Sequence, residues 1–493
     1  MLNRFLLLAS GATSLILAAL PARAETLEEA VITAHESSPS LEIRRALTRA
    51  ADERVVQADA AYGPSLSVNA SHEFTYSRTR FTEFQSEDDG FATSGSLNLT
   101  QPLFTSGRLA AAVDIAEASR LAARQDLRGE SQQLILDVVT AYVSLQRDLE
   151  LYQVAGDIYQ LLLQQRDITA SRLQLRDATA PDVDQTENRM QLAAGRVIEA
   201  RASVESSAAR YRNLVGQYPD TLAPPAPLPP LPELATLYEI AEQRSPSLLS
   251  AQYTELASRA QVAAARAAQG PQVSGSASAG RSPASAFQNT NYVEQVVAGV
   301  NLSVQLYSGG LQSSVVRETL ERNIAAQNLV EQSRRDMRQS LASDWYQLRA
   351  ADETLPRYLL AVEAAQRAVD GVKQQETSGI RTLRDVLDVT NDLFNARTSA
   401  VVAQTNRYIA HASVLRDAGM LSVDLFGAGA SYDPADYAPA GARLAGLPLQ
   451  PVVEPIDRIL LNDWVDPAGV DVEADPIYDA GAQLPDLLVP RPR

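Results

Sequence analysis

Ser65 to Ser77 reads SLSVNASHEFTYS, and the alternation along it decides the fold. Even positions carry Leu66, Val68, Ala70, His72, Phe74 and Tyr76, and odd positions carry Ser65, Ser67, Asn69, Ser71, Glu73, Thr75 and Ser77. Successive side chains of a strand point to opposite faces, so this stretch has one largely apolar face and one small, polar face. From Phe91 to Gln101 the pattern returns, with Phe91, Thr93, Gly95, Leu97 and Leu99 set against Ala92, Ser94, Ser96, Asn98 and Thr100. It returns again in Val273, Gly275, Ala277 and Ala279, and in Val296, Ala298, Val300, Leu302, Val304 and Leu306. Alternation over about ten residues is the signature of a barrel strand with lipid on one side and water on the other. A half-buried strand of a soluble sandwich has the same pattern, and alternation alone weighs the two equally.

Outward from these strands the chain repeats itself. Ser38-Pro39-Ser40-Leu41 recurs as Ser245-Pro246-Ser247-Leu248, and Gly63-Pro64 as Gly270-Pro271, each 207 residues later. Leu103-Phe104-Thr105-Ser106-Gly107 returns as Leu306-Tyr307-Ser308-Gly309-Gly310, Ala141-Tyr142 faces Trp345-Tyr346, and Asp182-Val183 faces Asp385-Val386. The collinear order of these weak matches is the sign of duplication. Between the copies, Pro219 to Pro232 holds seven prolines and reads as a semi-rigid linker. Each copy reads helix, hairpin, helix. Residues 26–60 and 233–268 are helical in composition and stop at Gly63-Pro64 and Gly270-Pro271. Residues 106–176 contain no proline and place Leu134, Val138, Ala141, Leu145, Leu149 and Tyr152 three or four apart. Seventy helical residues span roughly 105 Å, which asks for partner helices along a narrow seam. The second copy, about 311–375, contains Pro356, where a kink or a break is expected.

The ends differ from this frame. Arg4, the apolar run Phe5 to Leu20, and Ala22-Arg23-Ala24 read as a cleavable signal peptide over residues 1–24. The expected organisation is then a first repeat over 25–217, a linker over 218–232, a second repeat over 233–421 and a tail over 422–493. The tail holds twelve acids against four arginines and ten of the 26 prolines, which reads as extended or disordered. With no cysteine, disulfides, thiol nucleophiles, thiolate metal sites and lipid-modified cysteines are excluded. A net charge of −17 argues against nucleic acid as a partner. His35, His72 and His411 are far apart and outside any ligand motif, so no metal or other cofactor is expected. No catalytic constellation is present, so an enzyme is not expected. Tyr142, Trp345 and Tyr346 read as seam packing.

Four strands cannot close a membrane barrel, and an open sheet would leave backbone groups unpaired in lipid. Two chains would give eight strands and three would give twelve, and the sequence does not choose between them. A soluble periplasmic coiled-coil scaffold with a short sheet is the competing reading.

Residues 25–421 resemble the outer-membrane efflux protein family, the TolC family. The resemblance rests on the duplicated layout, on Gln101-Pro102-Leu103-Phe104 before Gly107, on Arg172 to Val183 (RLQLRDATAPDV), and above all on Gly379 to Asn395 (GIRTLRDVLDVTNDLFN). It implies a mostly helical chain with a small antiparallel β part: an α-barrel tunnel of long coiled helices joined to a twelve-stranded outer-membrane β-barrel shared by a homotrimer. It further implies an exit duct reaching from the periplasm through outer-membrane lipid to the exterior. The implied partners are a periplasmic adaptor protein and an inner-membrane transporter of ABC or RND type, in a tripartite pump or a type I secretion system. Such a duct exports small molecules or proteins.

By the same resemblance Asp385 and Asp388 form carboxylate rings at the periplasmic constriction, and their three-residue spacing puts them on one helical face. Arg381 matches the family's gate arginine, with Asp182 and Gln165 as its partners. Glu376 stands where the family has a gate tyrosine, and Asp177 where it has the glycine of the first tip turn. Arg176, Asp177 and Ala178, with Ser378, Gly379 and Ile380, form the adaptor-docking tips. From spacing alone, Arg381, Asp385 and Asp388 read equally as a solvated helix face.

Overall fold

The computed structural model describes residues 24–464 apart from 81, 83, 84, 220, 428–431, 433, 435, 436, 440, 441, 443 and 444, with the backbone alone at 460–464. Residues 1–23 of the expected leader and residues 465–493 of the tail lie outside the described residues. The described residues fall into two compact units, one within 1–37, 137–228 and 355–405, the other within 38–136, 229–354 and 406–493.

The element order is α1 (Leu27–Ser37), α2 (Pro39–Ala60), β1 (Ser65–Arg80), β2 (Gln85–Phe104), α3 (Arg108–Gln174) and α4 (Ala180–Val215). It then repeats as α5 (Leu234–Arg244), α6 (Pro246–Ala267), β3 (Gln272–Ser285), β4 (Gln288–Ser303), α7 (Leu311–Thr377) and α8 (Leu383–Asp417), followed by α9 (Gln450–Trp464). The single helices expected over 26–60 and 233–268 are each two. Ser38 (ψ 121°) and Ser245 (ψ 117°) are extended because a following proline disfavours helical backbone, and Pro39 and Pro246 then open the next helix, where no N–H is needed. The break expected at Pro356 does not occur, for α7 is continuous from Leu311 to Thr377. The ring removes one helical bond, and Pro356 is exposed, so water can satisfy the freed carbonyl.

The second unit holds one antiparallel sheet in the order β1-β2-β3-β4. Its register aligns the faces read from the sequence: Leu66 lies opposite Leu99, Leu99 opposite Ala277, and Ala277 opposite Ala298. On the other face Asn69, Ser96, Gly280 and Gln295 form a row. The apolar face is uncovered, with Leu66, Val68, Val296 and Val300 all exposed. Among the described residues β1 pairs only with β2 and β4 only with β3, so both edges are open.

The core of this unit packs Leu237 and Leu248 against Met337, Leu341, Leu348, Val414 and Ala418, with Trp345 alongside. Tyr346 is exposed and takes no part in that packing. A smaller cluster joins Tyr62, Leu109 and Val113 to Val453 of α9. The tail therefore departs from the extended form expected of it. Over Gln450–Trp464 it is helical, and Asp457 is wholly buried. Its Oδ1 accepts from the Thr105 N–H (2.6 Å) and the Gly107 N–H (3.0 Å), and its Oδ2 accepts from the Thr105 hydroxyl (2.8 Å). A carboxylate satisfied by donors at the start of α3 offsets the penalty of burial.

In the first unit Ile158 and Leu162 of α3, Met190 and Ala193 of α4, Val369 of α7, and Leu387 and Leu393 of α8 share one core. Burying each of the larger aliphatic side chains contributes about 1.5–3 kcal/mol. Tyr142 is buried beside Tyr211, and its hydroxyl sits between the Glu25 and Ala223 carbonyls at 2.8 and 2.6 Å, so it pins the proline-rich linker as well as packing.

Candidate gate and tip turns

Both tips lie in the first unit and are built alike. At the end of α3, Asp177 N–H donates to the Arg172 carbonyl (2.9 Å) and Arg176 N–H to the Leu173 carbonyl (3.0 Å). At the end of α7, Ile380 N–H donates to the Gln375 carbonyl (2.9 Å) and Gly379 N–H to the Glu376 carbonyl (3.0 Å). This double closure demands a left-handed residue just past the helix. That residue is Gly379 (φ 73°) in the second tip and Arg176 (φ 60°) in the first. The sequence reading put the departure from glycine at Asp177; it falls one residue earlier, because the repeat offset of 203 aligns Gly379 with Arg176 and Ile380 with Asp177. Leu175 and Ile380 are exposed at the two turns, while Ala178 is half-buried and the Ser378 hydroxyl donates back to the Gln374 carbonyl (3.0 Å).

After each turn a threonine and an aspartate start the next helix. Thr179 N–H and hydroxyl donate to Asp182 Oδ2 at 2.9 and 2.6 Å, and Thr382 N–H and hydroxyl donate to Asp385 Oδ2 at 3.0 and 2.9 Å. The Asp385 N–H returns to Thr382 Oγ1 at 3.4 Å. These are reciprocal helix caps. They hold both carboxyls below the usual range: for Asp385 the Thr382 N–H and hydroxyl act first and the Arg381 and Arg384 charges next, and for Asp182 the Thr179 hydroxyl and N–H. Asp385 thus keeps its charge while starting α8.

Arg381 Nε reaches Gln375 Oε1 (3.4 Å), in its own turn. The chain does not bring it to Asp182, whose carboxylate caps α4, or to Gln165, which is buried with its carbonyl accepting from the Thr169 hydroxyl (2.9 Å). The cross-repeat ties are made by other residues. Arg172 of α3 donates to Glu376 of α7, so Glu376 binds across the repeats through an arginine. Arg189 of α4 pairs with Asp388 of α8 at 3.3 Å, and Arg384 approaches the same carboxylate at 3.8 Å. Arg196 lies 3.4 Å from Asn391 Oδ1 and 4.5 Å over the Phe394 ring, while Arg397 bonds Gln366 (2.9 Å) and approaches Asp157 (3.5 Å). Sequence reading missed Arg172 and Arg189. The threonine-x-x-aspartate caps were visible in it, but Asp385 was read only as pore charge and Asp182 only as a partner of Arg381.

Among the described residues no group of three or more His, Cys, Asp or Glu is arranged to hold a metal, and no helix is long and apolar enough to cross a membrane. His72 Nδ1 lies 2.8 Å from the Thr93 hydroxyl with its ring stacked on Phe91, and His411 Nε2 bonds the Pro229 carbonyl at 2.9 Å.

The family model described as outer membrane efflux protein matches residues 31–217 and 237–419. The chain is 28% identical over 426 residues to the outer membrane efflux protein BepC of Brucella suis biovar 1, covering 86% of this chain and 91% of that one. It is 26% identical over 418 residues to the outer membrane protein TolC of Escherichia coli K12, covering 81% and 83%. Its fold matches a membrane protein of Pseudomonas aeruginosa with a TM-score of 0.72 at 19% identity, over 80% of this chain and 90% of that one. With both halves of the chain matched, it belongs to the outer membrane efflux protein family.

Proposed function

We propose that this outer-membrane channel is a passive exit duct in which three copies share one barrel. The supporting observation is the sheet: four strands with an uncovered apolar face and two open edges. In lipid those edges must pair, and an even number of up-and-down strands lets β4 of one copy lie antiparallel to β1 of the next. Twelve strands leave a lumen lined by the Ser, Asn and Gly face. A soluble scaffold is not favoured, since it would leave the apolar face in water.

At the tips, threefold symmetry gathers Asp385 and Asp388 into rings that favour cations. Arg172–Glu376 and Arg189–Asp388 serve as the resting latches between the α3/α4 and α7/α8 pairs, and docking of an adaptor on the exposed Leu175 and Ile380 turns loosens them. The duct serves an inner-membrane transporter and performs no chemistry of its own. The test is recording in planar bilayers with Asp385→Ala combined with Asp388→Ala: cation preference falls if the rings line the pore, and unchanged preference refutes the assignment. Drug sensitivity and the secreted proteome of a deletion strain then identify the cargo.

A further inference from the structure

The helix α9 has two faces, and among the described residues its own chain uses one of them. Gln450, Val453 and Asp457 face inward: the Gln450 amide donates to Asp59 Oδ1 (3.2 Å), Val453 packs with Tyr62, and Asp457 takes the three donors of Thr105 and Gly107. Arg458 adds an ion pair with Asp114 at 3.1 Å. The other face carries Val452, Ile456 and Ile459, one helical stripe that is 59%, 46% and 65% exposed. A helix anchored by a buried carboxylate and yet apolar outward calls for a second surface.

The sheet register indicates where that surface lies. Ser65 stands opposite Thr100, Phe104 opposite Val273, and Gln272 opposite Ser303, so β1 begins and β4 ends at the same end of the sheet. Beyond Ser303 the chain turns into α7 through Val304, Leu306, Tyr307 and Leu311, which are exposed by 43%, 92%, 86% and 65%. The equivalent corner of the first repeat, Phe104 to Gly107, is covered by α9, whereas among the described residues the second corner has no such cover in its own chain. When β4 of one copy pairs with β1 of the next, this bare corner arrives beside the start of the neighbour's β1. Tyr62 and Asp59 of that neighbour are the residues that hold its α9.

We infer that α9 is a clasp between copies: its Val452–Ile456–Ile459 stripe covers the Leu306–Tyr307–Leu311 corner of the adjacent copy. The inference rests on the shared-barrel reading above. It gives the described part of the C-terminal segment a purpose, since one helix then covers the β-to-α corners of two chains, its own through Asp457 and its neighbour's through the apolar stripe.

The test exploits the absence of native cysteine. The pairs Ile456→Cys with Tyr307→Cys, and Val452→Cys with Leu306→Cys, are introduced into the full chain and oxidised in outer membranes. Reducible dimers and trimers on denaturing gels are expected from the double variants and monomers from each single variant. An oligomer of native size without cross-links in either pair overturns the clasp and leaves the barrel intact. Cross-linking by the single variants also overturns it, because the same residue of two copies would then be in contact, rather than α9 of one copy with the corner of the next. A wild-type extract that is monomeric overturns the barrel reading, and the clasp with it. Independently, Val452→Ser with Ile459→Ser should lower the temperature at which the oligomer dissociates on semi-native gels. No shift would mean that the stripe is not at the interface.

Discussion

Exchanging the charges of Arg172 and Glu376 tests the latch proposed between the two repeats. The Glu376 side chain is 8% exposed and that of Arg172 is 29% exposed, so the pair is largely shielded from solvent. A hydrogen bond to a charged group contributes about 1.5–3 kcal/mol, and the open side of Arg172 argues for the lower half of that range, about 2 kcal/mol. Arg172→Glu puts two carboxylates side by side and Glu376→Arg two guanidiniums, so each single variant should lose more than this. The double variant restores an opposite pair with its order reversed. The expected coupling in a double-mutant cycle is about 2 kcal/mol, equivalent to roughly 30-fold in the latch equilibrium of each copy. Two assays read it: thermal unfolding of the detergent-extracted protein, and resting conductance in planar bilayers. Both single variants should be leaky, and the double variant should return towards the closed level. Additivity within about 0.5 kcal/mol, with conductance unchanged in all three variants, would refute the reasoning, because the two side chains would then not be coupled.

Three other outcomes follow from the same structure. Asp457→Ala leaves the N–H groups of Thr105 and Gly107 without their acceptor and should cost about 3–4 kcal/mol in urea unfolding, while Asp457→Asn, which keeps one oxygen acceptor, should cost less; equal stability of both variants with wild type would rule out the anchor. Arg176→Gly should stabilise by about 0.5–1 kcal/mol by relieving a left-handed backbone, and Gly379→Val should destabilise by more than about 1 kcal/mol, both measured by thermal unfolding. Burial and the neighbouring Asp417 raise the Asp344 carboxyl to about 6, against the opposing pull of Arg416. The folded chain then binds more protons than the unfolded one between the ordinary aspartate range and pH 6, so this group's contribution falls as pH rises through that window and is lost above it. Asp344→Asn should flatten that part of the stability–pH curve and be more stable than wild type at pH 8.

The strands and the duplication were legible in the sequence because each rests on local periodicity. Alternation from Ser65 to Ser77 fixes faces, and the register of Leu66 with Leu99 and of Leu99 with Ala277 follows from keeping those faces together. The helix breaks at Ser38-Pro39 and Ser245-Pro246 were also written there, in the very motif that revealed the repeat. What no local pattern reports is pairing across the repeats. Arg172 and Glu376 are 204 residues apart, and Arg189 and Asp388 are 199 apart, and either acid alone reads as one more solvated charge on a helix. Asp457 was hidden for the opposite reason. In a segment with so many acids and prolines, average composition outweighs a short amphipathic stretch, although Val453 and Asp457 are four apart, on the buried face of α9.

The proposed duct makes the open four-stranded sheet one third of a membrane barrel. Its most direct test is the native mass of the protein extracted by detergent from outer membranes. Three chains per particle are predicted, with dissociation to single chains only on heating. A monomer recovered from the soluble periplasmic fraction, or a particle of two chains, would contradict the account.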